Sequence, residues 1–259
     1  KSLKKNSSFN HEIIIHINDG SDGSLDFIKA NNYKYTSSID NIGLCSSINR
    51  AAKLASNQYI LYSHDDMYFC PDWDRVLLNE VNFLNHDYFY LSGTMIEPNS
   101  GHIMSDFGTD LDTFKEDELL SKYKNINFYD HQGTHFAPHL VSKKMWDKVG
   151  GFSEEFNPGI GSDPDFNMKL WKEGVRIFKG LNDFKVYHFG SLTTRKKKNF
   201  IQNRGDKTFL KKWGITTKFF KKYYLKSKTK YNGPLQRPNV TLGYIIGLLS
   251  CKIQSIFTF

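Results

Sequence analysis

Cysteine is scarce in this 259-residue chain: Cys45, Cys70 and Cys251 stand far apart and form no CxxC pair. That spacing suggests neither a disulfide framework nor a structural zinc site, and fits a reducing compartment. Long apolar runs are also missing. Val240 to Cys251 is twelve residues, short of the ~20 that cross a bilayer core. No basic start followed by an apolar core marks a secretory signal at the amino end, and no internal repeat is evident. Acid is nearly absent from one segment. Between Arg195 and Lys230 fourteen Lys or Arg meet a single acid, Asp206, a local balance of +13, while the remainder carries −5 of the overall +8. What is present suits a folded chain: 39% hydrophobic and 15% aromatic residues exclude disorder and allow one sizeable core.

The expected organisation is a body over 1–195 and a basic, partly apolar extension over 196–259, helical in character. Such a tail suits an anionic surface, membrane or nucleic acid, or else a solubilised terminal helix. Its apolar end suits an interfacial position or packing onto the body.

His11 to Asn18 reads as a buried strand running into a sharp turn at Asp19-Gly20-Ser21-Asp22-Gly23, with a helix from Ser24. The turn is too poorly spaced, with Lys29 near the expected Glu, to be a calcium loop. An extended piece near Tyr33 to Thr36 precedes a helix through Leu44, Ile48, Ala51, Ala52 and Ala55. Tyr59 to Phe69 reads as the next strand, delivering His64, Asp65 and Asp66 to its end. Further strands are expected at Phe89 to Met95, Val175 to Phe178 and Phe184 to Tyr187, and helices at Val141 to Val149 and from Pro164 to about Glu173, with Asp163 at the N-cap. This order predicts an α/β sheet with right-handed crossovers. Gly133 and Pro138 break any helix that would align His131, His135 and His139 as a zinc site.

Carboxylates at a strand's carboxyl end lie where open α/β sheets hold ligands, and hard cations bridge such groups to phosphates. Three acidic clusters occupy such positions: Asp19, Asp65 with Asp66, and Asp163 with Asp165. Glu-Ile-Ile-Ile-His-Ile-Asn-Asp-Gly-Ser, His64-Asp65-Asp66, and Gly-Gly-Phe-Ser-Glu-Glu-Phe followed by Ser-Asp-Pro-Asp resemble, in order, the motifs of family 2 nucleotide-sugar glycosyltransferases. The resemblance covers roughly residues 1 to 195. It implies a GT-A fold, a Rossmann-like mixed sheet flanked by helices, to which the basic C-terminal helical tail read from the charge pattern is appended. By the same resemblance Asp19 contacts the nucleoside base, Asp65 the ribose or metal, Arg50 the diphosphate, and Asp66 with His188 holds Mn²⁺ or Mg²⁺. Asp163 matches the catalytic base. The family's first strand is missing from this chain, which opens on Lys1-Ser2-Leu3, so we expect it to be a fragment of a longer protein. His64 and Ser162 stand where many members carry an acid.

The implied activity is inverting sugar transfer from a nucleotide-diphosphate sugar to a glycan or lipid-linked hydroxyl, in the cytoplasm or peripherally at the inner membrane face. A positioned carboxylate takes the acceptor's proton and a cation steadies the leaving diphosphate. Two rivals stand beside it. One is a catalytically inactive relative that binds sugar nucleotide or glycan. The other is a nucleic-acid module, with Lys196 to Lys198 on phosphates and Trp213, Phe219, Tyr223 and Tyr224 stacking on bases; nucleic acid is the less expected partner.

Overall fold

A computed structural model describes residues 1–190 and 204–257; Arg195 and Lys196 to Lys198, where the basic segment begins, lie outside the described residues. The chain starts with α1 (Ser2–Lys5), β1 (Ile14–Asn18), α2 (Ser24–Ala30), β2 (Lys34–Ser38) and α3 (Leu44–Ala52). There follow β3 (Tyr59–Tyr62), β4 (Met67–Phe69), α4 (Trp73–Leu84), β5 (Phe89–Glu97), β6 (Ile103–Met104), α5 (Glu116–Lys122), β7 (His131–Gln132) and β8 (His139–Ser142). Next come α6 (Lys143–Val149), α7 (Ser162–Lys172) and β9 (Ile177–His188). The described chain closes with α8 (Gly205–Trp213), α9 (Thr217–Phe219), which continues as a π-turn to Tyr224, and α10 (Leu242–Ile256).

The main sheet has the order β3-β8-β5-β9-β4, with β6 beside β5 and β7 beside β9. It is mixed: β5 and β9 run parallel, while β3 with β8, β5 with β8 and β4 with β9 run antiparallel. All nine residues of β5 are buried, as a strand covered on both faces requires. β1 and β2 form a separate parallel pair, held to the rest through α3.

Three local expectations are corrected. The run from Tyr59 to Phe69 is two strands at opposite ends of the sheet order, and His64 to Asp66 make the crossing between them. The pieces around 175–178 and 184–187 are one long strand whose pairing with β5 slips between Gly93 and Thr94. Gly93 is required there, since a Cβ would lie 2.9 Å from the Phe184 carbonyl oxygen. Val141 and Ser142 belong to β8, and α6 begins one residue later, capped by the Ser142 hydroxyl.

The core gathers Phe69, Trp73, Phe89, Tyr90, Phe152, Phe166, Phe178 and Phe184 with Phe209, Phe220, Leu225, Leu235 and Cys251. Each large apolar side chain so buried contributes about 1.5–3 kcal/mol, so the C-terminal helices share the stability of the sheet. No helix among the described residues is long and apolar enough to cross a membrane.

Candidate active site

The site forms because three strand ends meet. Parallel pairing sets Ile96 beside Tyr187, so the next residues, Glu97 and His188, emerge together from β5 and β9. Antiparallel pairing sets Met67 beside His188, which brings the crossing before β4 to the same point, and the Phe189 amide donates to the Asp66 carbonyl at 3.1 Å. His188 Nε2 thus faces Asp66 Oδ2 at 3.2 Å, while its Nδ1 bonds the Glu97 carboxylate. His64 Nδ1 lies 4.0 Å from Asp66 Oδ1, and its Nε2 meets the Tyr62 hydroxyl at 2.6 Å.

Charge follows from this packing. Burial opposes the His188 cation, but the flanking carboxylates of Asp66 and Glu97 outweigh it and raise the imidazole to about 9. Burial also works against the Asp66 anion, yet His188 and then His64 hold its carboxyl below the ordinary value. His64 is pushed down chiefly by burial, despite Asp66, and stays neutral at pH 7.

One ligand atom from each of His64, Asp66 and His188 lies within 4.8 Å of the others. Each imidazole has its far nitrogen occupied, by Tyr62 or Glu97, the arrangement that orients a metal-binding histidine. His188 Nε2 is sealed from solvent without an aligned hydrogen bond. The residues therefore fit a divalent cation. An oxygen with two imidazoles suits Mn²⁺ better than Mg²⁺, which prefers oxygen alone.

Asp163 belongs to α7. The cap of α7 is Gly161, not Asp163, which sits inside the first turn. Its Oδ1 is closed to solvent and accepts no hydrogen bond, and burial pushes the carboxyl up to about 7. Tyr62 is raised well above its usual range, first by burial and then by the charges of Asp163, Cys45, Asp66 and Asp65. Two residues on, Asp165 is fully buried and well satisfied. Ser153 Oγ donates to it at 2.6 Å and Trp213 Nε1 at 2.8 Å, and Lys212 Nζ lies 3.0 Å away.

Asp65 is exposed in the crossing. Asp19 is exposed on the turn after β1, with φ +67°, and accepts from Ser21. The preceding Asn18 accepts from the Ile42 amide at 3.0 Å, so the N-terminal end of α3 meets the carboxyl end of β1. Arg50 is exposed in the last turn of α3, about 9 Å of rise from that end. The structure joins Asp66 to His188, with Asp65 beside them in the crossing and Asp163 apart on α7; Asp19 and Arg50 stand on the β1, β2 and α3 side.

That side is bonded to the loop that leads into α7. Cys45 N donates to Asn157 Oδ1 at 3.0 Å, Leu44 N to the Pro158 carbonyl at 3.2 Å, and Asn49 exchanges two bonds with the Phe152 backbone at 2.8 and 2.9 Å. Gly43 permits this approach, since a Cβ there would lie 2.5 Å from Asn157 Oδ1.

Sequence reading missed Glu97 and the grouping of His64 with Asp66 and His188. The signal for His64 was its place beside two carboxylates; Glu97 offered only its place at the end of a strand.

The profile of Glycosyl transferase family 2 matches residues 1–141, more than half of the chain. The chain belongs to this family. Among solved structures, this family 2 domain resembles GalNAc-T7, crystallised with UDP, GalNAc and Mn²⁺, with a TM-score of 0.53 and 15% identity over 72% of this chain and 39% of that one. It also resembles S. aureus TarS 1-349, with a TM-score of 0.51 and 16% identity over 71% of this chain and 53% of that one. The UDP complex of TarS 1-349 aligns with a TM-score of 0.50 and 15% identity over 72% and 54%. These likenesses establish the GT-A fold of the family 2 domain, and the chain spans about half or less of those proteins. A comparison with curated protein sequences finds no match.

Proposed function

We propose that this family 2 chain transfers a sugar from a nucleotide-diphosphate donor to an acceptor hydroxyl, with inversion and with metal assistance. The observation that carries the reading is the convergence of His64, Asp66 and His188 at the carboxyl ends of β3 and β9. A cation bound by these residues supplies positive charge against the diphosphate that departs. Asp163 takes the proton as the acceptor oxygen bonds the anomeric carbon, while the bond from that carbon to the diphosphate oxygen breaks and its electron pair leaves with the diphosphate. A carboxyl near 7 is well matched to such a base at neutral pH. One base with direct displacement inverts the anomeric centre. In this reading Asp19 meets the nucleoside base, Asp65 the ribose or cation, and Arg50 the diphosphate. The acceptor is a glycan or lipid-linked hydroxyl, reached peripherally at an anionic, cytoplasmic membrane face.

UDP sugars are tested first because both relatives were crystallised with UDP. Thermal shifts are measured with UDP, GDP, CDP and dTDP sugars, with and without Mn²⁺, on the wild type and Asp66→Ala. The reading expects a Mn²⁺-dependent rise for one donor, lost in Asp66→Ala; a rise that Asp66→Ala retains, or none with any donor, overturns it.

A further inference from the structure

α10 is apolar on both sides. Its inner side packs on the body: Cys251 is buried, Leu248 and Tyr244 contact the core, Gly247 lies against the Phe219 ring, and Tyr223 donates to the Gly243 carbonyl at 2.7 Å. Its outer side presents Leu242, Ile245, Ile246, Leu249, Ile253 and Ile256 to solvent, with Ile246 58% and Ile256 65% exposed. Spacings of three and four residues set these six on one stripe. A fifteen-residue helix that exposes such a stripe is too short to span a bilayer, so its apolar side is suited to lying in an interface.

Charge selects the occupant. α10 carries one charged residue, Lys252, and no acid. The helices packed beside it expose Lys207, Lys211, Lys218 and Lys222, and residues 204–257 hold twelve Lys or Arg against Asp206 alone. A second copy of this chain would bring the same positive charge to the contact and be repelled. An anionic lipid surface answers both the apolar stripe and the basic charge of the neighbouring helices.

We infer that the outer face of α10 is a lipid-docking surface, seating Ile246, Leu249 and Ile253 among acyl chains while Lys218 and Lys222 meet anionic headgroups. This deepens the membrane partner in the proposed function and rests on that reading only for the acceptor's location. Vesicle binding does not depend on transfer, so either can fail alone.

The test is flotation of the full chain with vesicles of phosphatidylcholine, and of phosphatidylcholine with 30% phosphatidylglycerol. Binding is expected to the anionic vesicles, to weaken with salt, and to fall about fivefold for each of Lys218→Gln and Lys222→Gln. Ile246→Glu with Leu249→Glu, both exposed, abolishes it while leaving the melting temperature unchanged. Should the double variant misfold, Ile246→Cys carrying an environment-sensitive dye is the second readout, and its emission shifts to the blue only with anionic vesicles. Equal binding to neutral vesicles, no binding to either, or a stable dimer in solution that the double variant dissociates overturns the inference.

Discussion

Asp163→Asn separates the cost of the proposed base from its use. The carboxyl moves from an ordinary 3.8 to about 7 because it is buried, and no hydrogen bond at Oδ1 compensates. The folded protein therefore favours the protonated acid. Stability from this group is fully present below pH 3.8 and declines as the pH rises, until above about 7 the native state holds an unfavourable anion. The difference corresponds to at most about 4 kcal/mol. That is a ceiling, since the residue as a whole is only half-buried and water screens part of the charge. Asparagine keeps the shape without the charge. For a chain of this size, ~2–4 °C accompanies each kcal/mol, so Asp163→Asn raises the melting temperature by several degrees at pH 8 and by almost nothing at pH 4. Melts of both proteins across pH 4–8.5 give the difference curve, which grows up to about pH 7 and then levels. Transfer should show the opposite pattern: wild-type activity rises through pH 7 as Asp163 deprotonates, and the variant loses about 10²- to 10⁴-fold. A variant less stable at every pH, or a gap that ignores pH, would refute the argument.

Two further outcomes are expected. Glu97→Ala frees the His188 ring and weakens Mn²⁺ binding about 10- to 100-fold by calorimetry, and unchanged affinity would remove Glu97 from the site. Lys212→Met or Trp213→Phe strips a donor from buried Asp165 and costs about 1–3 kcal/mol in urea unfolding, whereas a neutral result would mean that α8 does not hold the loop.

Local patterns were readable where neighbours in sequence act together. His188 stands at the end of β9 as its apolar run suggested, and Asp66 follows β3. The run from Tyr59 to Phe69 misled because both strands are apolar, and only their different partners, β8 and β9, divide them. Glu97 reaches His188 through parallel pairing across 91 residues, which no local spacing reveals. Asp163 resembled a cap because Pro164 follows it, but Gly161, with φ +87°, turns the chain earlier and draws the acid into the helix.

The bonds from α3 to Asn157, Pro158 and Phe152 link the β1–β2 pair to the loop beside the main sheet. Asp19 and Asp163 sit on units that share no strand pairing, yet α3 is latched to the loop that leads into α7. The turn that carries Asp19 and the helix that carries Asp163 are thus tied by hydrogen bonds of α3 rather than by a shared strand, so breaking that latch at Asn157 would free one from the other without touching the main sheet.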